Sequence, residues 1–199
     1  EQIRCGIKSK TLKLTEVVFV DDGSTDNTLT QIRQHSRVLR KELGISVNVI
    51  TYKDNRGKGF AVRQGMLATS SDYVLLADVD MSTPLIELSK LDPYLQLGEE
   101  VIIGTRKNGE STVMLAQPKY RQIMGKVFTK MTQLFLNVYV TDFTCGFKLF
   151  SKQSITVIFA NSKIDRWGYD AEIMFLAQKY GYSIREKALL WYNDDRTNV

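Results

Sequence analysis

Two pairs of acidic residues follow short apolar segments, and their positions suggest a shared binding crevice. Asp21 and Asp22 come directly after one such segment, and Asp78 and Asp80 follow another. In an open α/β sheet the ligand crevice lies at the carboxyl ends of the strands, so both pairs are expected to line it. One carboxylate of an Asp-x-Asp pair can hold a hard divalent cation while the other holds water or a sugar hydroxyl. A metal that bridges to a diphosphate makes so many carboxylates compatible with a phosphate ligand.

A glycine-bounded lysine lies between the two acidic pairs. Lys58 is flanked by Gly57 and Gly59 and opens a predicted helix that contains Arg63. The segment lacks the spacing of a P-loop and of the dinucleotide fingerprint, which disfavours a kinase or a dehydrogenase. Two interpretations stay open: the glycines only turn the chain, or Lys58 or Arg63 contacts a ligand.

The composition predicts one folded domain over residues 1–199. The chain is 43% hydrophobic and 25% charged, and 27 Lys and Arg against 22 Asp and Glu give a net charge of +5. That excess suits a phosphate-bearing ligand or an anionic membrane surface, and no basic run is dense enough to indicate nucleic acid binding. His35 is the only histidine, and Cys5 and Cys145 are the only cysteines. Zinc sites and histidine-based triads are therefore disfavoured, so catalysis must rest on carboxylates, arginine and lysine.

The pattern of apolar segments predicts an α/β fold. Four short runs rich in β-branched residues alternate with helical stretches, which indicates a largely parallel sheet flanked by helices. The predicted strands are 16–20, 46–52, 73–77 and 100–103. Ser24 is expected to begin the first helix and Gly44 to end it, whereas Pro84 opens a later helix that Gly98 closes. We expect no signal peptide from this sequence, and no apolar run approaches the ~20 residues of a membrane-spanning helix.

The second half contains one long amphipathic helix. Apolar residues recur at helical spacing over 118–138, after a loop-like stretch at 108–117. We expect the apolar face to pack on the core; the alternative is a helix that lies on a membrane surface. The opposite face carries Lys119, Lys126 and Lys130.

A further strand is predicted over 144–150. Cys145, Phe147 and Leu149 alternate there with polar or small residues that include Lys148. Such alternation is typical of a half-buried strand with its polar side chains directed outward.

Six motifs in fixed order carry a family resemblance. They are Val-Asp-Asp-Gly-Ser-Thr-Asp at 20–26, Gly-Lys-Gly at 57–59, Asp-Val-Asp at 78–80, Gly-Thr-Arg at 104–106, Asp-Phe-Thr-Cys-Gly-Phe-Lys-Leu-Phe at 142–150 and Arg-Trp-Gly-Tyr-Asp-Ala-Glu at 166–172. With them the chain resembles family 2 glycosyltransferases of the GT-A fold. Within that family it looks most like dolichyl-phosphate glucosyltransferases and related polyprenyl-phosphate sugar transferases. It departs from the glucosyl relatives at 142–144, where they usually have Asp-Thr-Gln, and at 165–167, where they have Glu-Arg-Trp.

The resemblance implies a fold and an activity. The fold is a nucleotide-diphospho-sugar transferase domain, and its first strand is expected to lie upstream of Glu1, so that 1–199 is an N-terminally incomplete catalytic domain. The activity is inverting, Mg²⁺- or Mn²⁺-dependent transfer of a sugar, expected to be glucose, from a UDP-sugar to a polyprenyl or dolichyl phosphate. Relatives act in glycan or cell-envelope biosynthesis, and we expect this chain at the cytosolic face of a membrane, in peripheral contact with it.

The resemblance also implies roles for individual residues. Asp22 would contact the base, Asp78 the ribose or sugar, and Asp80 the metal. Arg106 and Arg121 would lie near the donor diphosphate or the acceptor phosphate. The implied donor-binding set is Asp21, Asp22, Lys58 and Asp78. The implied catalytic set is Asp78, Asp80, Arg106, Arg121 and Asp170.

The chemistry of the acceptor decides which further residues are needed. A phosphate monoester has a second pKa near ~6, so it arrives ionised and requires cations rather than a base. The candidate cations are Arg121, Lys148 and Arg166. A hydroxyl acceptor would instead need a general base. The carboxylates available for that role are Asp142, Asp165 and Asp170.

Several alternatives remain open on the sequence. Trp167 and Tyr169 are predicted to be core aromatics, although they could stack on a sugar. The donor could be GDP-mannose, and the acceptor could be a sugar hydroxyl. The chain could also be a nucleotide-sugar-binding module without turnover.

Overall fold

The computed structural model describes residues 3, 9–107, 112–113 and 119–192, without the side chains of residues 112, 113, 119, 121 and 122. The strands are β1 (Glu16–Asp21), β2 (Ser46–Thr51), β3 (Tyr73–Ala77), β4 (Val101–Thr105), β5 (Thr112–Val113), β6 (Phe147–Ser151), β7 (Ile184–Ala188) and β8 (Leu190–Trp191). The α-helices are α1 (Thr28–Leu43), α2 (Lys58–Leu67), α3 (Asp92–Gln96), α4 (Lys119–Leu136), α5 (Lys152–Asn161) and α6 (Tyr169–Lys179). The four predicted strands are confirmed to within two residues.

The strands form three separate hydrogen-bonded groups. β1 pairs with β2, the order β3-β6-β4-β7 forms a four-stranded sheet, and β5 pairs with β8. Three of the five pairings are parallel, and the two antiparallel ones both involve β6. The predicted α/β class with a mostly parallel sheet and flanking helices is confirmed.

β6 is buried on both faces, which corrects the prediction of a half-buried strand. Phe150 packs with α5 and α6, whereas Phe147 and Leu149 pack on the opposite face. Lys148 is fully buried in the same strand, although alternation placed it outward. The reason is that β6 lies between β3 and β4 and is covered by apolar side chains on both sides. Alternation predicts exposure only where one face meets water.

The helix boundaries follow the predicted signals with two differences. α1 ends at Gly44, whose φ of 62° is the left-handed conformation that favours glycine. Its start is Thr28 rather than Ser24, because residues before it form a turn in which the Asp21 carboxylate accepts the Ser24 amide. After Pro84 the chain forms a 3-10 helix (Leu85–Leu91) that continues into α3.

The long helix α4 exposes the apolar face that was predicted to pack on the core. Its inner side carries the buried Thr129 and Thr132, whereas Leu134 and Phe135 are 79% and 75% exposed. Periodicity identifies an apolar face but not what covers it, and here the small and polar side packs on the protein. Within the part of the chain that the structure describes, no helix is both long and apolar enough to cross a membrane.

An apolar cavity of about 720 Å³ lies between β1 and β3 and reaches the residues that follow both strands. Among the described residues, β1 pairs only with β2, and β3 pairs only with β6. The strand expected upstream of Glu1 stays a prediction.

Candidate active site

The structure brings the two acidic pairs to one place. The cavity between β1 and β3 is lined at the carboxyl ends of these strands by Asp21, Asp22, Lys58, Asp78 and Asp80. The carboxyl ends of β1 and β3 therefore open onto the same crevice, where an α/β fold is expected to bind its ligand.

Asp22 organises the loop that precedes α2. Its carboxylate accepts hydrogen bonds from the Arg56 amide at 2.8 Å, the Gly57 amide at 2.9 Å and Asn55 Nδ2 at 2.9 Å. The neighbouring Asp21 is buried and accepts from Thr51 Oγ1 and from the Ser24 amide. Asp21 thus holds the turn after β1, and Asp22 is the acid that joins this turn to the next loop.

Asp78 is held by Lys58 and packs on Gly146. Lys58 Nζ lies 2.8 Å from Asp78 Oδ1. A Cβ on Gly146 would lie 1.9 Å from Asp78 Oδ2, so the carboxylate occupies the space that any larger residue would need. The Gly-Lys-Gly and Cys-Gly-Phe motifs, far apart in the sequence, therefore position the same acid.

Asp80 is exposed at the mouth of the crevice. Its Oδ1 accepts the Ser82 amide at 2.9 Å, and Met81 between them has a φ of 52°, which is strained for a residue other than glycine. Such strain is concentrated at functional sites. The described residues contain no cluster of three or more His, Cys, Asp or Glu side chains that could hold a metal. One exposed carboxylate with donor phosphate oxygens is nevertheless a usual set of ligands for Mg²⁺, and Asp80 fits that role.

The two glycines beside Lys58 are needed for close packing. A Cβ on Gly57 would lie 2.6 Å from Asp165 O, and one on Gly59 would lie 2.3 Å from Ile164 O. Lys58 and Arg63 were the two cations proposed to contact a ligand. Lys58 lines the crevice and pairs with Asp78. Arg63 instead bonds to the loop that contains Ser162 and Asp165.

Arg106 forms a buried ion pair with Asp142. Arg106 Nε lies 2.7 Å from Asp142 Oδ2, and Nη2 lies 2.8 Å from Oδ1. Burial opposes ionisation of Asp142, but the hydrogen bonds and charge of Arg106 outweigh it and lower the pKa of this carboxyl group. The guanidinium carbon also lies 5.2 Å from the centroid of the Trp191 ring.

Two supporting residues were not predicted from the sequence. The Glu186 carboxylate accepts hydrogen bonds from the backbone amides of Thr141 and Asp142 and from the Thr141 hydroxyl. These bonds fix the segment that carries Asp142. Lys107 Nζ lies 3.7 Å from Asp142 Oδ1. No local motif marks Glu186, because its contacts form only when β7 pairs with β4.

Lys148 and Asp170 form a buried ion pair. Lys148 Nζ is 2.5 Å from Asp170 Oδ1 and 2.6 Å from Cys145 O. Lys148 is fully buried, so the structure does not support it as a cation for an acceptor phosphate.

Burial raises the pKa of the Cys145 thiol to about 11, which keeps this thiol protonated. Cys5 lies outside the described residues.

The segment that opens α6 exposes some of its side chains. Trp167 is 71% exposed, which corrects its prediction as a core aromatic, whereas Tyr169 is buried as predicted. The difference arises because Tyr169 is the first residue of α6 and packs into the core, while Trp167 precedes the helix. Arg166 is exposed. Arg121 lies in α4, and its side chain is outside the described part.

Comparison with known proteins places these features in a family. The model of Glycosyl transferase family 2 matches residues 4–159. Dolichyl-phosphate beta-glucosyltransferase of Dictyostelium discoideum is 30% identical over 196 residues, which cover 96% of this chain and 59% of the relative. The enzyme of the same name from Drosophila melanogaster is 33% identical over 190 residues, covering 92% of this chain and 57% of the relative. The chain thus spans less than two thirds of these relatives.

Solved structures share the fold. Glucosyl-3-phosphoglycerate synthase from Mycobacterium tuberculosis in complex with uridine diphosphate has a TM-score of 0.65 at 15% identity, covering 100% of this chain and 67% of that one. A mannosyltransferase from Pyrobaculum calidifontis in complex with GDP-Man and Mn²⁺ has a TM-score of 0.56 at 16% identity, covering 91% of this chain and 48% of that one. The predicted GT-A type of α/β fold is confirmed by this likeness. Because the family model matches residues 4–159, which is most of this chain, the chain belongs to glycosyl transferase family 2.

Proposed function

We propose that the chain catalyses inverting, metal-dependent transfer of glucose from UDP-glucose to a polyprenyl phosphate such as dolichyl phosphate. The observation that carries the proposal is the convergence of the exposed Asp80 and the Asp78–Lys58 pair at one crevice. The name of the similar relatives, dolichyl-phosphate beta-glucosyltransferase, supports glucose as the sugar and a lipid phosphate as the acceptor.

On the donor side the crevice offers acceptors for hydroxyl and base N–H groups beside one cation. Asp22 is assigned to the base and Asp78 to the ribose or sugar, because both carboxylates line the crevice. Lys58 lies between the two acids in sequence and pairs with Asp78, so it fixes that carboxylate beside the donor. A carboxylate that accepts a base N–H or a ribose hydroxyl contributes selectivity as well as affinity.

The divalent ion is assigned to Asp80, with Mg²⁺ and Mn²⁺ as the candidates. When bound, such an ion stabilises the negative charge that develops on the leaving diphosphate. Asp80 suits this role because its carboxylate is exposed, while Asp78 is already neutralised by Lys58.

The ion pairs of the carboxylates favour a phosphate acceptor over a hydroxyl acceptor. The three possible bases are each ion-paired: Asp142 with Arg106, Asp165 with Arg63 and Asp170 with Lys148. An ionised phosphate needs no base. Its oxygen forms a bond to the anomeric carbon, the bond from that carbon to the diphosphate breaks, and UDP leaves with the electron pair. The cations assigned to positioning this phosphate are Arg106, Arg121 and Arg166.

The exposed face of α4 is assigned to a lipid surface. Large apolar side chains are exposed along it beside Lys126 and Lys130, a composition typical of helices that lie at an anionic membrane interface. A polyprenyl acceptor is itself held in a bilayer, so a helix next to the active site that contacts lipid would bring the two together. We accordingly propose peripheral contact with the cytosolic face of a membrane.

The activity is tested by product analysis. The chain is incubated with Mn²⁺, a polyprenyl phosphate and either UDP-glucose or GDP-mannose, and the lipid product is analysed by mass spectrometry and by NMR of the anomeric proton. We expect a β-linked glucosyl phosphate lipid from UDP-glucose and none with Asp80→Asn. A mannosyl product would support the mannosyltransferase alternative. Binding of UDP-glucose without any product would support the non-catalytic alternative.

A further inference from the structure

Lys107 lies between the active site and α4. Its Nζ is 2.9 Å from Thr129 Oγ1 and 3.5 Å from Gly125 O, both on the inner side of the helix. The same atom lies 3.7 Å from Asp142 Oδ1, the carboxylate that holds Arg106. One ammonium group therefore contacts both the helix and the ion pair.

The described contacts of α4 lead to the same part of the molecule. Gln133 Nε2 donates to Val140 O at 2.9 Å, and the ring of Phe128 lies 6.5 Å from that of Phe143 at an edge-to-face angle. Val140 and Phe143 flank the residues that Glu186 fixes, so these contacts connect α4 to the segment that carries Asp142. The outer side of α4 is the apolar face assigned above to lipid.

The environment of Lys107 is suited to connecting α4 with the Arg106–Asp142 pair rather than to binding substrate directly. Burial lowers the pKa of its ammonium group, and the charge of Asp142 opposes that change. Two of its donors point to α4, so the charge is directed between helix and carboxylate instead of toward open solvent.

We propose that Lys107 is a positioning residue through which α4, once seated on lipid, sets the geometry of the Arg106–Asp142 pair for the acceptor. This inference rests on the proposed function, because it requires a lipid surface on α4. It assigns to Lys107 no contact with the reacting atoms.

Trp191 provides a local signal, because Arg106 lies over its ring. The chain has two tryptophans, so a Trp167→Phe background leaves Trp191 as the only tryptophan, whose emission is followed with excitation selective for indole over the tyrosines. In that background, vesicles of phosphatidylcholine with phosphatidylglycerol are added and the Trp191 emission is recorded. We expect an emission change in the parent that is lost in Lys107→Met and in Thr129→Val, while flotation with the vesicles and UDP affinity are retained. Lys107→Arg should restore the change, and Lys41→Met, an exposed lysine on α1, should leave it intact.

Kinetics give a second, independent measurement. Allosteric coupling typically changes affinity 5- to 150-fold, so we expect Lys107→Met and Thr129→Val to raise the KM for vesicle-bound polyprenyl phosphate by about tenfold, with little change in the KM for UDP-glucose.

Three results would overturn the inference. The first is an unchanged emission response in Lys107→Met on vesicles that it still binds. The second is an equal loss of donor affinity, acceptor use and melting temperature, which would indicate a structural role alone. The third is a parent chain that transfers glucose but does not float with the vesicles, because α4 would then not bind the lipid surface that the coupling requires. A parent that floats but transfers no sugar would refute the proposed function while the emission test of the coupling still stands.

Discussion

At the scale of residues, two acids only two positions apart have very different environments. Asp78 is neutralised by Lys58 and packed on Gly146, whereas Asp80 is exposed beside the strained Met81. A cation at Asp80 therefore does not compete with Lys58 for the same carboxylate. This separation agrees with the proposed roles, in which Asp78 contacts the ribose or sugar and Asp80 holds the metal ion.

The contact between Asp78 and Gly146 predicts that a larger residue at position 146 weakens UDP binding. Gly146→Ala places a Cβ 1.9 Å from Asp78 Oδ2, so the carboxylate must leave the position in which it pairs with Lys58. We expect UDP affinity to fall by about tenfold or more, which corresponds to the loss of one charge-assisted hydrogen bond. Calorimetric titration measures it.

Gly125→Ala is the matched control. The nearest atom to its new Cβ would be Lys107 Nζ at 3.9 Å, which is an ordinary contact. Replacing a mid-helix glycine by alanine stabilises a helix by roughly 0.5–1 kcal/mol, so this variant should melt slightly higher with unchanged UDP affinity. Unchanged affinity in Gly146→Ala as well would contradict the role given to Asp78.

The Arg106–Asp142 pair makes a prediction about stability. Removing one partner of a buried ion pair costs about 3–5 kcal/mol, so Asp142→Asn should lower the free energy of unfolding at pH 7 by that order. The folded-state pKa of Asp142 is below its ordinary value of 3.8. Its contribution is therefore present above that value and is lost as the pH falls through the folded-state pKa.

Denaturant unfolding of parent and variant between pH 7 and pH 3 tests this directly. The difference in unfolding free energy between them should shrink below pH 4. A difference that stays constant over that range would show that the carboxylate charge is not the stabilising feature.

At the scale of elements, α4 presents its apolar side outward. Leu134→Ser and Phe135→Ser should weaken flotation with anionic vesicles without lowering the melting temperature, because both side chains are exposed. Lys126 and Lys130 each add about 1 kcal/mol at such a surface, so high salt should also release the chain.

Leu97→Ser is the control for general hydrophobicity. Leu97 is 77% exposed but lies just after α3 rather than on α4. This variant should float like the parent. Equal losses in all three variants would show that the membrane contact is not specific to α4.

The elements also show what the sequence could and could not predict. Short apolar runs predicted β1 to β4 well, because each is a local pattern of β-branched residues. The orientation of α4 and the burial of Lys148 could not be predicted, because both depend on which neighbours cover each face. Periodicity describes a face, whereas tertiary packing decides what it meets.

At the scale of the whole molecule, the described strands form two main groups separated by an apolar cavity. β6 is hydrogen-bonded on both sides, whereas β1 has a ladder on one side only among the described residues. Hydrogen exchange followed by mass spectrometry should therefore show faster exchange in β1 than in β6, since amides without ladder partners open at lower free energy. Equal protection of both strands would contradict this arrangement.

The candidate site was predicted in part at this scale. The acids were found because each follows a strand, and strands of an α/β sheet end at a common edge. Lys107 and Glu186, which contact Asp142 and the segment that carries it, are distant from Asp142 in the sequence and carry no local pattern. Tertiary contacts alone reveal the ion pairs of Asp142 with Arg106 and of Asp170 with Lys148.

We expect the acidic crevice to bind a nucleotide diphosphate together with a divalent ion at Asp80. Calorimetric titration of UDP into the chain, with Mn²⁺ and then with EDTA, tests it most directly. We expect UDP to bind at least about tenfold more tightly with Mn²⁺ than with EDTA and more tightly than GDP under the same conditions. Asp80→Asn should remove the metal-dependent part at an unchanged melting temperature, because Asp80 is exposed. Equal UDP affinity with Mn²⁺ and with EDTA in the parent chain would contradict this expectation.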